Sequence, residues 1–172
     1  MTYPVLQIIP LGACLLGAVV WDVRARRIPN GVIGVAAGLG LFAQFWDGGV
    51  LSVMGGVLAA ALTVAMLFSF WTKGGIGGGD VKLAGAVAIW IGLRALPWFA
   101  LSTALAGGVT ALVCLALSKT AARKEIQANL TLTVLQQQIP TVETAGVGRV
   151  SVPYAIAIAA GVVATWYGPR LF

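Results

Sequence analysis

The segment Gly74-Gly75-Ile76-Gly77-Gly78-Gly79-Asp80 separates two apolar stretches, Val50–Trp71 and Val81–Leu96. Only five acidic residues occur among 172 residues, and one of them, Asp80, ends this glycine run. A carboxylate at the edge of a membrane span costs free energy unless it is hydrated, paired or used in function. The segment therefore marks a boundary between two spans and a candidate functional residue.

The composition predicts an all-α, polytopic membrane protein. Hydrophobic residues make up 59% of the chain and charged residues 9%, whereas soluble domains are about 25% charged. Because a helix needs roughly 20 residues to cross a bilayer, we expect a single integral-membrane domain over residues 1–172 with about six transmembrane helices. The predicted spans are Val5–Val23, Pro29–Trp46, Val50–Trp71, Val81–Leu96, Trp98–Leu117 and Val152–Tyr167. A tight connection at Arg94–Pro97 joins the fourth and fifth, where one re-entrant unit is the alternative.

The distribution of basic residues predicts the orientation. The loops after the first, third and fifth spans hold nine of the eleven Lys and Arg residues, and the opposite side holds Arg94 and Arg170. Under the positive-inside rule both termini lie outside. The polar segment of residues 119–151 is then a cytoplasmic loop, and Asp22 and Asp80 lie at the cytoplasmic edge.

Composition also excludes several functional classes. The chain contains no histidine, so Ser-His, Cys-His and zinc-histidine mechanisms are excluded. Its two cysteines, Cys14 and Cys114, lie in separate apolar spans and have no metal-ligand spacing. The net charge of +6 comes from bases in short loops, which indicates membrane topology rather than nucleic-acid binding.

The first motif is Gly77-Gly78-Gly79-Asp80-Val81-Lys82. Glycine permits close backbone approach, so an extended substrate could lie against this turn beside a carboxylate. The alternative is a flexible loop in which Asp80 caps the following helix. Lys82 either offsets the charge of Asp80 or marks the cytoplasmic edge. A phosphate-binding P-loop would need Gly-Lys-Ser/Thr, which is missing.

The second motif places Asp22 shortly before Ile28-Pro29-Asn30. Taken alone, Asp22 is more simply an interfacial acid neutralised by the arginines that follow it, and Pro29-Asn30 is a turn that starts the second span. The remaining acids, Asp47, Glu125 and Glu143, are expected to be solvated.

Together these motifs resemble the type IV prepilin peptidase family. The resemblance rests on Asp22 with Ile28-Pro29-Asn30, on Gly77-x-Gly79-Asp80 with Lys82, and on Val152-Pro153-Tyr154-Ala155-Ile156-Ala157, in that order. Larger members carry an N-terminal cytoplasmic extension with paired cysteines that also methylates the product. This sequence resembles the short, peptidase-only branch of Flp-type tight-adherence pilus systems, so no methyltransferase activity is expected.

The resemblance implies a membrane aspartic endopeptidase of the bacterial cytoplasmic membrane that removes the basic leader from a prepilin, its protein partner. Asp22 and Asp80 would be catalytic, and Gly77, Gly78, Gly79, Lys82, Pro29 and Asn30 would contact the substrate. Two neighbouring carboxylates share a proton and activate water, so no metal or organic cofactor is expected.

Two other functions remain open at this point. A small transporter or channel subunit could use Asp22 and Asp80 as a cation site beside a broken helix. An assembly scaffold of a secretion machine would tolerate substitution of both aspartates.

Overall fold

The computed structural model describes residues 5–25, 28–73, 76–117 and 154–167. These residues form four helices, which are α1 (Val5–Ala25), α2 (Asn30–Thr72), α3 (Gly78–Leu117) and α4 (Tyr154–Tyr167). No strand occurs in these ranges, so the predicted all-α class is confirmed. The predicted loop of residues 119–151 lies outside the described residues.

Three helical stretches are long and apolar enough to cross a membrane: Gln7–Ala25, Asn30–Thr72 and Gly78–Cys114. Large apolar side chains cover the outer surface, as Leu51, Leu105 and Leu112 show. The buried cluster combines alanines with a larger number of bulkier residues such as Leu83. Small interior residues let helices approach closely, as is common in membrane bundles.

The helix α2 turns back on itself at Gly49. This residue has φ of 65° and ψ of −154°, a conformation open to glycine but strained for residues with a Cβ. A side chain at Gly56 would lie 3.5 Å from Cγ of Gln44, although twelve residues of straight helix span about 18 Å. The two arms of α2 are therefore neighbours, and the turn falls where Trp46-Asp47-Gly48-Gly49 was predicted to end a span.

The helix α3 is interrupted in the same way at Gly92, which has φ of 72° and ψ of 173°. The connection was predicted at Arg94–Pro97, and that position is wrong because both residues lie within the helical segment after Gly92. Glycine supplies the positive φ that the break requires. Pro97 lies in the arm that follows, five residues after Gly92.

The second arm of α3 packs along α4 in the opposite direction. Trp98 Nε1 donates to the carbonyl of Ala164 at 3.3 Å, and a side chain at Gly107 would lie 3.7 Å from the ring of Tyr154. The start of α4 therefore lies beside the middle of this arm. The count of about six transmembrane helices is not confirmed by four helices, and it stays a prediction.

A glutamine fastens the two interrupted helices together. Gln44 Nε2 donates to the carbonyl of Ile89 at 2.7 Å, and its Oε1 accepts from Ser52 Oγ at 2.5 Å. Gly92 interrupts α3 three residues later. Gln44 therefore gives the Ile89 carbonyl a side-chain donor close to this interruption and links the first arm of α3 to α2.

Candidate active site

The first acidic residue, Asp22, lies in the last turn of α1 and is only 8% exposed. Its Oδ2 accepts a hydrogen bond from the backbone N–H of Ala155 at 3.4 Å, at the start of α4. At the other end of α1, Gln7 donates to the exposed carboxylate of Asp47. Asp47 and Asp22 therefore lie at opposite ends of the bundle.

The second acidic residue, Asp80, lies in the first turn of α3. The carbonyl of Gly77 accepts from the N–H groups of Asp80 at 3.1 Å and Val81 at 3.2 Å, which starts the helix directly after the glycine run. The Asp80 carboxylate also forms a hydrogen bond with the backbone of Gly77. Its Oδ1 is buried and has no hydrogen-bond partner among the described residues.

Asp22 and Asp80 meet in one cavity. The two carboxylates interact electrostatically with each other, although Asp22 lies in the last turn of α1 and Asp80 in the first turn of α3. The cavity has a volume of about 360 Å³. Its lining residues are Asp22, Ile28, Asn30, Gly77, Gly78, Gly79, Asp80 and Lys82.

The predicted site residues are therefore gathered around this cavity, with one exception. Pro29 is not among the lining residues. It is extended, with φ of −61° and ψ of 133°, and precedes the first residue of α2, where its carbonyl accepts from Val32 N–H at 3.1 Å. Ile28 lines the cavity but was not predicted as a contact residue; its position directly before Pro29 is the only sequence signal for it.

The glycine run lies close to the groups around it. A Cβ built at Gly77 would lie 2.8 Å from Asp80 Oδ2, and one at Gly78 would lie 3.0 Å from Trp71 Nε1. A Cβ at Gly79 would be 3.5 Å from Ile28 Cβ, which is ordinary contact. Gly77 is thus the position at which a side chain would directly displace the Asp80 carboxylate.

The cation of the cavity, Lys82, contacts a neutral group. Its Nζ donates to Asn30 Oδ1 at 3.4 Å, and both side chains are exposed. Within the described residues this hydrogen bond links the start of α2 to α3. The Lys82 side chain therefore lies at the wall of the cavity, where it can contact a bound ligand.

The other candidate residues lie apart from this cavity. Asp47 is at the far end of the bundle, while Glu125 and Glu143 lie outside the described residues. Cys14 and Cys114 are free thiols. Across the described ranges, no group of three or more His, Cys, Asp or Glu residues is arranged to hold a metal ion.

Sequence comparisons identify the family. No curated protein and no solved structure gives a match. The type IV leader peptidase family matches residues 9–112. That range covers more than half of the chain and includes Asp22, Ile28–Asn30 and Gly77–Lys82, and it ends before the motif that begins at Val152. The chain therefore belongs to the type IV leader peptidase family.

Proposed function

We propose that this membrane peptidase is an aspartic endopeptidase that removes the leader from a prepilin, with Asp22 and Asp80 as its catalytic residues. One observation carries the proposal. Two acidic residues from different helices line one cavity with a glycine run, in a chain with very few acids. Membership of the leader peptidase family agrees with that chemistry.

The proposed reaction needs only the two carboxylates and water. Two neighbouring carboxylates cannot both ionise easily, so the pair holds one proton between them. The ionised member takes a proton from water as the water oxygen attacks the scissile carbonyl carbon, while the protonated member donates to the carbonyl oxygen. The tetrahedral gem-diol then collapses as its C–N bond breaks. The leaving amine takes the proton that came from water, and one diol hydroxyl returns its proton to the other carboxylate, so the pair again holds one proton.

The cavity dimensions support an extended peptide segment as substrate. A volume of about 360 Å³ is at the lower end of the usual range for ligand pockets, about 300–1,000 Å³. Gly77–Gly79 leave their side of the wall without side chains, so a peptide backbone can lie directly against the turn. In this pose Asn30 and Lys82, which also line the cavity, contact the substrate.

The proposed orientation places the cavity at the cytoplasmic face. The prepilin leader is basic by family resemblance, and Arg24 and Lys82 would repel it from the neighbourhood of the site. The leader then extends into the cytoplasm or towards anionic lipid headgroups. The apolar start of the pilin helix occupies the membrane side. We further propose an Flp-type prepilin as substrate and both chain termini outside.

Asparagine substitutions test the catalytic assignment. With a co-expressed Flp-type prepilin, Asp22→Asn and Asp80→Asn should each lower cleavage by on the order of 10³-fold or more, because each removes one member of the proton-sharing pair. Asp47→Asn is the matched control, since Asp47 is exposed at the other end of the bundle. Cleavage should be unchanged in the control, and immunoblots should show equal amounts of all three proteins in the membrane.

The same variants separate the alternatives. A transporter with a cation site would show no prepilin cleavage even in its unsubstituted form, and its cation flux would fall with both aspartate variants. An assembly scaffold would leave the amount of processed pilin unchanged in every variant. Either result would refute the peptidase assignment of Asp22 and Asp80.

A further inference from the structure

The two carboxylates of the cavity stand in different electrostatic positions within their own helices. Asp80 lies in the first turn of α3, where the helix dipole and the unpaired N–H groups favour a negative charge. Asp22 lies in the last turn of α1, where the unpaired carbonyl groups disfavour one. The dipole of α1 therefore does not stabilise a negative charge on Asp22.

The start of α4 supplies a hydrogen-bond donor for the Asp22 carboxylate, which the C-terminal end of α1 does not offer. Ala155 is the second residue of α4, so its N–H is among the first-turn groups that have no acceptor within the helix. This N–H donates to Asp22 Oδ2 at 3.4 Å. Ala155 is 0% exposed, so water has little access to its N–H as an alternative acceptor. A hydrogen bond to a charged group in such surroundings is stronger than one between neutral groups.

Packing holds the start of α4 in this position. The ring of Tyr154 lies against the second arm of α3 at Gly107, and Ala155 and Ile158 belong to the same buried cluster as Leu15 and Ala18 of α1. The packing of α4 against α1 and α3 therefore fixes the position of the Ala155 N–H. This part of the chain lies beyond the range that the family match covers.

We infer that the N-terminus of α4 is a third component of the active site, in which the backbone N–H of Ala155 positions the Asp22 carboxylate. The inference rests on the proposed function for its catalytic meaning. It assigns Ala155 as a positioning residue that acts through Asp22 and does not touch the substrate. It also gives the Tyr154–Ala157 segment a role, which is to bring an unpaired helix terminus to an acid at the end of another helix.

Replacing one backbone amide with an ester tests the inference without changing any side chain. Lactic acid incorporated at position 155 by in vitro translation into lipid nanodiscs keeps the methyl group of Ala155 and removes only the N–H. The matched control is lactic acid at Ala157, which is also 0% exposed and lies about 200° further around the helix. Alkaline hydrolysis of the ester and the sizes of the fragments verify each incorporation.

The expected result with a synthetic prepilin is a change in kcat alone. The ester at 155 should lower kcat by about tenfold to a hundredfold, as expected for losing a hydrogen bond to a charged group, with KM within about twofold of the unsubstituted value. The ester at 157 should leave both constants near those of the unsubstituted protein. An unchanged kcat for the 155 ester, or an equal loss for the 157 ester, would overturn the inference.

A thermal unfolding measurement decides the contact independently of activity. The 155 ester should lower the unfolding midpoint when Asp22 is present, and this shift should vanish in the Asp22→Ala background. The shift caused by the 157 ester should be the same in both backgrounds. A 155 shift that does not depend on Asp22 would overturn the inference. If the unsubstituted protein cleaves no prepilin, the proposed function fails, and this measurement still establishes whether α4 holds Asp22.

Discussion

The substitution Gly77→Ala should damage catalysis while leaving the fold intact. The added Cβ would lie 2.8 Å from Asp80 Oδ2, about 0.6 Å closer than the 3.4 Å at which ordinary contacts begin. The atom that must move is the end of a side chain, so a small rotation of Asp80 relieves the clash at little cost to stability. That same atom belongs to the proposed catalytic pair, where a misplacement near 1 Å costs on the order of a hundredfold in rate.

We therefore expect Gly77→Ala to lower kcat by about tenfold to a hundredfold with a nearly unchanged unfolding midpoint. Gly38→Ala is the matched control, because a Cβ there would meet nothing within 4 Å and Gly38 does not line the cavity. In this control kcat should stay near the unsubstituted value. Steady-state cleavage of a synthetic prepilin in nanodiscs provides both constants. Cleavage by Gly77→Ala at the full rate, or an equal loss of kcat in both variants, would refute the role of this glycine in leaving room for Asp80.

Three further predictions concern the glycine run, the packing of the interrupted helices and the membrane topology. Gly79→Val should abolish prepilin cleavage while the protein still inserts into the membrane, because its larger side chain projects towards Ile28 and the proposed peptide path; normal cleavage would exclude that path. Gln44→Leu should lower the free energy of unfolding by about 1–3 kcal/mol, since the Ile89 carbonyl loses its donor; an unchanged midpoint in thermal unfolding would contradict this. A cytoplasm-only reporter fused after Phe172 should be inactive, as the positive-inside rule requires, and strong activity would reverse the topology.

The helical class follows from patterns that a sequence displays directly, whereas the pairing of the two acids was expected only from the family resemblance. Long apolar stretches predict helices, and Asp80 after a glycine run and Asp22 at the end of a span are both conspicuous where acids are rare. The turn at Gly49 was also predictable, because Trp46-Asp47-Gly48-Gly49 interrupts the apolar pattern. The apolar stretches, the positions of the two acids and the glycine turn are local signals, since each lies within one continuous stretch of the chain.

The features that were missed depend on contacts between distant segments. Arg94 and Pro97 interrupt the apolar pattern more clearly than Gly92, so the connection was predicted there. The break instead falls at Gly92, where the backbone has a positive φ. Ile28 and Ala155 have no chemical signature that indicates a site. Their places beside the cavity and beside Asp22 come from how α1, α2 and α4 meet.

The two roles expected for Asp80 do not exclude each other once the helix termini are considered. Asp80 was expected either to cap a helix or to serve chemistry, and its place in the first turn of α3 beside a cavity is compatible with both. A carboxylate at a membrane edge needs a source of stabilisation other than bulk water. A helix N-terminus supplies one through its unpaired N–H groups and its dipole. Asp80 obtains this stabilisation from the N-terminus of its own helix, and Asp22 accepts a hydrogen bond from the N-terminus of α4. Three helix ends therefore meet where the two acids lie.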